Sequence, residues 1–237
     1  MKFLINPNQF NKFTDIIFKP LIFLATLTLM IGLIFALLLS PNDYQQGLTV
    51  RIMYVHVPSA WLALLTFFIM TIYSILGLAF KMPFSFIINS AIAPIGATFT
   101  LICLVTGSLW GKPMWGTWWV WDARLTSMLI LTFIYLGHFL VLNSFEHFQK
   151  SDFAAAILAV IGLVNLPVVK FSVNWWTTLH QGASVFKVGG PSLSGIYLLT
   201  LMISFFCVLT LCMYWIANIF ITIIEKRRYE RIKLFNE

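Results

Sequence analysis

The stretch Trp110-Gly-Lys-Pro-Met-Trp-Gly-Thr-Trp-Trp-Val-Trp-Asp-Ala-Arg-Leu-Thr-Ser127 holds five of the nine tryptophans in the chain. Indole favours the boundary between hydrocarbon and water, with its apolar face inward and its N–H outward. Gly111, Pro113 and Gly116 interrupt the stretch, and glycine and proline both weaken helices. We therefore predict an irregular segment whose indole rings form a surface for a flat apolar ligand.

The composition around this stretch is that of an integral membrane protein. The 237 residues are 60% hydrophobic and 10% charged, with a mean hydropathy of +0.91, whereas soluble domains carry roughly 25% charged residues. A membrane span needs about 20 apolar residues, so six spans use most of the chain. The sequence predicts an all-α bundle of six transmembrane helices that forms a single membrane domain, residues 1–237.

Six apolar runs separated by polar links set the order of the predicted bundle. The predicted spans are residues 21–39, 58–80, 84–109, 125–142, 153–169 and 192–224, and the predicted outer connections are 40–57, 110–124 and 170–191. Ten of the fifteen Lys and Arg residues fall on the side of the two termini. Because such cations favour the cytoplasmic face, we expect cytoplasmic termini and an outward-facing tryptophan-rich stretch.

The net charge of +7 lies mainly at the ends of apolar runs and in the tail, residues 225–233. We attribute it to membrane topology and contact with the lipid bilayer rather than to a nucleic-acid partner. The sequence has no Gly-x-x-x-x-Gly-Lys-Ser/Thr loop to hold nucleotide phosphates, and no nucleophile with an adjacent base. We expect a protein that is not an enzyme.

Two histidines, His56 and His180, are predicted at helix mouths on the outer face. Pro58 suits the first turn of the second helix and places His56 just before it, while His180 follows Trp175 and Trp176. Two neutral imidazoles can fill both axial positions of a haem iron while indoles pack against the porphyrin. Alternatively, each is an ordinary interfacial histidine hydrogen-bonded near a helix end.

The tryptophan-rich stretch contains further candidates that also have ordinary roles. Its indoles form the predicted platform or merely anchor the protein at the interface. Those indoles are Trp115, Trp118, Trp119 and Trp121. Asp122 occupies the N-cap position of the fourth helix, which does not exclude a second role. Arg124 is either a boundary cation or, with Arg51 or Lys187, a partner of haem propionates.

Residues 115–127 resemble the tryptophan-rich signature of haem-handling membrane proteins, known as the WWD motif. The ending Ala-Arg-Leu-Thr-Ser resembles the cytochrome c maturation protein C family, CcmC. Met53-Tyr-Val-His-Val-Pro58 and Val173-Asn-Trp-Trp-Thr-Thr-Leu-His-Gln-Gly182 resemble the two haem-ligand segments of that family. The three motifs cover a minor part of the chain, whereas the resemblance to the family in length and in the six spans extends over nearly all of it.

The resemblance implies that His56 and His180 are the axial ligands of haem b. The further haem-binding residues that it implies are Trp115, Gly116, Trp118, Trp119, Trp121, Asp122 and Arg124. Family members present haem to a periplasmic chaperone, CcmE, during maturation of c-type cytochromes. They act in an ABC-type complex with the ATPase CcmA and the membrane subunits CcmB and CcmD. The expected location is the bacterial inner membrane, or the mitochondrial one.

Two other functions stay open on the residues alone. A membrane b-type cytochrome for electron transfer also uses two histidines, but such sites more often lie within helices, deep in the bundle. A subunit of a haem transporter needs a continuous polar path, which the apolar spans do not show.

Overall fold

The computed structural model describes residues 7–236, and side chains are described for residues 16–230. Its helices in this range are α1 Pro7–Ile34, α2 Met53–Phe80, α3 Pro83–Trp115, α4 Ala123–Leu142, α5 Phe148–Gly162, α6 Asn165–Trp175 and α7 Gly195–Asn236. A π-helical turn, Phe35–Leu39, continues α1, and a 3-10 turn, Leu48–Ile52, leads into α2. The fold class is all-α, as predicted.

Six helical segments in the described part of the chain are long and apolar enough to cross a membrane, which confirms the six-span prediction. Together α5 and α6 make one span, Phe148–Trp175, broken at Leu163 and Val164. Asn165 follows the break and donates through Nδ2 to the carbonyl of Ser127 at 2.9 Å, which ties the broken span to α4.

Helices α2, α3 and α4 form the centre of the bundle, and α1 packs at its edge against α7. Tyr135 on α4 is fully buried and donates to the carbonyl of Ala63 on α2 at 2.9 Å. Gly96 lies so close to this ring that a Cβ there would stand 2.2 Å from it. The close approach of three helices at Tyr135 fixes the centre of the bundle.

The connections divide the bundle into two ends. We call one the histidine end, because it gathers the N-termini of α2, α4 and α7, the C-termini of α3 and α6, and both His56 and His180. The charge pattern predicts that it faces outward. Among the cations behind that prediction, Lys2 lies outside the described residues, as do the side chains of Lys12, Arg231 and Lys233.

The opposite end holds a buried ion pair. The guanidinium of Arg227 on α7 donates two hydrogen bonds of 2.7 Å to the carboxylate of Asp152 on α5. Both side chains are largely buried, and the guanidinium lies over the ring of Phe148 at 5.1 Å. A paired and desolvated contact of this kind fixes the last turns of α7 against α5.

Helix α2 begins at Met53, so the prediction that it begins at Pro58 is wrong. His56 lies inside the first turns of the helix rather than before it. Proline has a φ angle that suits a helix, but inside a helix it removes one hydrogen bond and its ring crowds the carbonyl four residues before it. Burial of Met53 and Tyr54 in an apolar cluster, with the 3-10 turn before them, stabilises the additional turn.

Helix α3 continues through Gly111 and Pro113 to Trp115, so the predicted break at these two residues is wrong as well. The ring of Trp115 packs over Gly111, where a Cβ would lie 2.9 Å from it. The helix ends at Gly116, which adopts the left-handed conformation (φ 78°) and donates to the carbonyl of Lys112 at 3.0 Å. The irregular segment is therefore short, at residues 116–122.

Two further boundaries differ from the prediction. Helix α6 continues through Pro167 to Trp175, so the predicted connection at 170–191 begins inside a helix. Helix α7 has 42 residues, about 63 Å at 1.5 Å per residue, roughly twice the hydrocarbon thickness. In α6, as in α2 and α3, the helix continues past a proline that weakens helices locally.

Candidate functional site

A cavity of about 550 Å³ lies at the histidine end, bounded by α2, α3, α4, α6 and residues 181–188 of the connection to α7. His56 and His180 both line it. A smaller cavity of about 190 Å³ is also lined by both histidines. Cofactor sites commonly have volumes of roughly 300–1,000 Å³, so the larger cavity has the size of a ligand site.

The imidazole of His56 is held by α3. Its Nδ1 atom lies 3.0 Å from the carbonyl oxygen of Cys103 and 3.1 Å from the hydroxyl of Thr106. A carbonyl can only accept a hydrogen bond, so we assign the ring proton to Nδ1. The Nε2 lone pair is then free for a ligand.

Gly107 makes this position possible. A Cβ at Gly107 would lie 2.9 Å from Cε1 of the His56 ring, closer than real Cβ contacts allow. Trp110, one turn further along α3, meets the same ring edge-on with centroids 5.7 Å apart. The close approach of α3 therefore fixes the orientation of His56.

The imidazole of His180 is held by Asp122, which begins α4. Its Nδ1 atom lies 3.0 Å from Oδ2 of Asp122. Thr178 donates its hydroxyl to the same oxygen and accepts the backbone N–H of His180 at 3.1 Å. The chain from Thr178 to His180 is thus tied to the start of α4 at two adjacent points.

The carboxyl of Asp122 is ionised in this setting. It is 8% exposed, and burial alone raises its pKa. Hydrogen bonds from the backbone N–H of Leu125 at 2.8 Å, from Thr178 and from His180 outweigh that effect and lower the pKa below its usual value. Because a carboxylate only accepts, Nδ1 of His180 carries the proton and Nε2 is free.

His180 itself stays neutral at neutral pH. Burial lowers the pKa of its imidazole, and the hydrogen bond and charge of Asp122 offset that effect only in part. Among the described side chains, neither His56 Nε2 nor His180 Nε2 has a hydrogen-bond partner. The two rings therefore offer a pair of unprotonated nitrogens to one cavity, a donor set that suits a haem iron.

The structure separates the tryptophans of the stretch into two groups. Trp110 lines both cavities, and Trp115 lines the smaller one and meets the His180 ring with centroids 4.7 Å apart. Trp118, Trp119 and Trp121 line neither of these two cavities. Trp118 and Trp121 are 54% and 76% exposed, so the predicted platform is divided between a half-buried part beside the histidines and an exposed rim.

The other predicted residues also fall into two groups, those that line a cavity and those that do not. Arg124 lines the larger cavity, with an Nη2 atom 3.4 Å from the carbonyl of Lys170, and Lys187 lines the same cavity from the connection to α7. Arg51 lines neither of the two cavities, and its buried Nε atom has no partner among the described residues. Gly116 ends α3 without reaching either cavity.

Sequence reasoning missed several residues that surround or position the histidines, including Cys103 and Thr106 beside His56. Trp61 lines the larger cavity and packs on Phe186, whose ring centroid is 5.1 Å away. Gly107 and Thr178 position the two imidazoles. In the sequence, Trp61 looks like any apolar residue of a span. Thr178, two residues before His180, matches the spacing of a local hydroxyl-to-backbone contact and is a signal that could have been used.

Comparison with known proteins places this geometry in a family. The model of the family described as CcmC, heme exporter protein C, matches residues 1–234. The chain belongs to the heme exporter protein C family. A heme exporter protein C from Bradyrhizobium diazoefficiens is 46% identical over 200 residues, 84% of this chain and 76% of the relative.

Other relatives come from bacteria and from a plant organelle. A heme exporter protein C from Haemophilus influenzae is 46% identical over 194 residues, 81% of this chain and 79% of the relative. A putative cytochrome c biosynthesis ccmC-like mitochondrial protein from Marchantia polymorpha is 54% identical over 150 residues, 63% of each chain.

Membership in the heme exporter protein C family establishes the coarse role of the chain. It is a component of the haem-handling system of cytochrome c maturation. It is a membrane component of haem delivery and not an enzyme. With six spans and relatives in bacteria and mitochondria, it is a multi-pass protein of an inner membrane.

Proposed function

We propose that the chain binds haem b at the histidine end, with Nε2 of His56 and Nε2 of His180 as the two axial ligands. One observation carries the proposal: both imidazoles line the same cavity, and both direct a protonated Nδ1 to a fixed acceptor. Histidines that ligate metals almost always donate their other ring N–H to a fixed acceptor in this way. Two imidazoles also keep the iron coordinatively saturated, which limits oxygen chemistry while haem is held.

The second part of the proposal concerns the haem periphery. Haem carries two propionates, and guanidinium matches carboxylate geometry. Arg124 is half-buried on the wall of the larger cavity, and Lys187 is exposed at its edge. These two cations hold the propionates, whereas Arg51 does not take part because it lines neither cavity.

The third part concerns delivery. The chain presents haem to the periplasmic chaperone CcmE, beside CcmA, CcmB and CcmD. His180 is on a connection and is only part-buried, with the exposed Trp118 and Trp121 in the stretch that carries its partner Asp122. A ligand held at the end of the bundle stays accessible to a partner, whereas one between the middles of the helices would be trapped.

The test is an absorbance spectrum of the detergent-purified protein. We expect His56→Ala and His180→Ala each to abolish the low-spin bis-histidine spectrum and to lower the haem content, because each removes an iron ligand. His147→Ala is the matched control, since His147 occupies the N-cap position of α5 at the opposite end and its side chain makes no capping hydrogen bond. An unchanged spectrum in both ligand variants would refute the axial assignment.

One observation favours a membrane b-type cytochrome as the second candidate: His56 lies within α2, and such cytochromes carry ligands on helices. Mixing haem-loaded protein with the chaperone decides between the two functions. A donor loses its haem to the chaperone, whereas an electron carrier keeps it.

A further inference from the structure

The two candidate ligands are backed by different chemical groups. His180 donates to the ionised carboxylate of Asp122, at 3.0 Å. His56 donates to the neutral carbonyl of Cys103, also at 3.0 Å. The lengths are equal, so the difference between the two ligands lies in the charge of the acceptor.

The ring N–H of His56 meets two acceptors, and both are uncharged. Thr106 donates its hydroxyl to the carbonyl of Ile102 at 2.6 Å, and its oxygen lies 3.1 Å from Nδ1 of His56. The Nδ1 proton of His56 is therefore divided between the hydroxyl of Thr106 and the carbonyl of Cys103, which lies 3.0 Å away.

The acceptor on the His180 side is reinforced. Oδ1 of Asp122 accepts the backbone N–H of Leu125, which fixes the carboxylate at the start of α4. Thr178 donates to Oδ2 beside His180 and holds the backbone of His180 in register. The carboxylate has no freedom to turn away from the imidazole.

A charged acceptor changes the ligand strength of an imidazole. A carboxylate that accepts the Nδ1 proton pushes electron density toward Nε2 and raises its basicity toward a metal. Hydrogen bonds to charged groups are roughly twice as strong as neutral ones. A neutral carbonyl does the same to a smaller extent.

We propose that His180 is the strong ligand that keeps haem in the protein and that His56 is the weak ligand that leaves the iron first during delivery, with Asp122 as the positioning residue that sets the difference. This inference rests on the proposed function. In the step, the bond between iron and Nε2 of His56 breaks, and a Lewis-base side chain of the receiving partner takes the vacant position. His56 keeps the electron pair of Nε2 and the incoming side chain supplies its own pair, so no oxidation or reduction is involved.

The experiment compares Asp122→Asn with Thr106→Val in the detergent-purified, haem-loaded protein. Asparagine still caps a helix, so α4 keeps its start, but its amide can donate to Nδ1 and shift the ring proton to Nε2. We expect Asp122→Asn to release haem to apomyoglobin about 10- to 100-fold faster than the unaltered protein, as for other partners of metal ligands. Thr106→Val changes the rate less than Asp122→Asn.

The haem midpoint potential is the readout that a merely structural role would not move. Loss of the carboxylate makes His180 a poorer donor, so the potential of Asp122→Asn shifts to more positive values. Asp122→Ser, which also caps a helix but is too short to reach the imidazole, gives the same direction if the carboxylate is the cause. Equal rates and potentials in Asp122→Asn, Asp122→Ser and Thr106→Val would overturn the inference.

The single ligand variants separate this inference from the proposed function. If His180 is the stronger ligand, the His180→Ala variant loses more haem than the His56→Ala variant. Equal loss in the two variants, or greater loss in His56→Ala, overturns the inference and leaves the axial assignment intact. Full haem retention in both overturns the proposed function itself.

Discussion

The carboxylate of Asp122 serves two parts of the fold at once. One oxygen caps α4 through the N–H of Leu125, and the other holds the connection that carries His180. The residue that begins a membrane span is therefore also the residue that orients a candidate ligand. A change at the start of α4 therefore also alters the orientation of His180 in the cavity.

A residue-scale prediction concerns Trp115, whose ring meets His180 edge-on with centroids 4.7 Å apart. Such aromatic contacts are worth about 0.5–1.5 kcal/mol. We therefore expect Trp115→Ala to release haem roughly three- to tenfold faster, measured by transfer to apomyoglobin. The control is Trp121→Ala, because Trp121 is 76% exposed and lines neither of the two cavities. A Trp121→Ala variant that loses haem as fast as Trp115→Ala would contradict the division of the indoles.

At this scale the sequence predicted that His56 and His180 lie at the same end of the bundle, but not which way the side chains around them point. Asp122 was predicted as an N-cap, and the structure confirms it because the spacing to Leu125 is local. The direction of each indole depends on where α3 ends, and glycine at residue 111 and proline at residue 113 did not end it. The partner of His56 is on another helix, 47 residues away, and no local pattern reveals it.

Helix α3 supplies the groups that hold His56. It brings the carbonyl of Cys103, the hydroxyl of Thr106 and the open face of Gly107 against one imidazole. Since side chains three and four residues apart share a helix face, a single face of α3 makes all these contacts. The orientation of His56 is thus a property of the packing between α2 and α3.

The element-scale prediction is that Gly107→Ala weakens haem binding while the protein stays folded. A Cβ at Gly107 would stand 2.9 Å from the His56 ring, and overpacking of this kind costs about 1–3 kcal/mol. We expect roughly tenfold weaker haem binding, measured by haem titration of the purified protein. Helix propensity favours alanine by about 1 kcal/mol, which offsets part of this cost, so the unfolding temperature should fall by no more than a few degrees.

Gly137→Ala is the matched control for this prediction. It is also a glycine within a helix, but the atom nearest to its Cβ would be the flexible end of Leu158 at 3.3 Å. Haem binding should be unchanged in this variant. Weaker binding in both variants would show that the effect comes from helix packing in general and not from the His56 ring.

At the scale of the helices, hydropathy predicted the number of spans correctly, but several predicted helix ends were wrong. Apolar runs long enough to span a membrane are a strong signal. Helix ends depend on packing that the sequence does not display, such as burial of Met53 and Tyr54 at the start of α2. One observed end, at Gly116, does match a glycine with a left-handed φ angle.

In the whole molecule, the two ends of the bundle differ in their cavities and in the side chains that they bury. The histidine end has cavities, part-buried imidazoles and exposed indoles, whereas the opposite end has the buried pair of Asp152 and Arg227. Such a division suits a protein that exchanges a ligand at one end and is rigid at the other. Delivery to a periplasmic partner then requires the histidine end to face outward.

The whole-molecule prediction tests that orientation by cysteine labelling in intact cells. Val188 is fully exposed at the histidine end, and Ser144 is exposed in the connection between α4 and α5 at the opposite end. We expect a membrane-impermeant maleimide to label Val188→Cys in cells with a permeabilised outer membrane. Ser144→Cys should react only after the inner membrane is opened, because ten of the fifteen Lys and Arg residues favour a cytoplasmic position for that end.

The native cysteines make this measurement clean, since Cys103, Cys207 and Cys212 are all buried. The unaltered protein provides the background, and labelling of both variants in opened membranes shows that each thiol can react. The reverse pattern, with Ser144→Cys labelled from outside, would place the imidazoles on the cytoplasmic face. In that orientation the cavity would be a site that receives haem from the cytoplasm, and direct transfer from His56 and His180 to a periplasmic chaperone would be physically impossible.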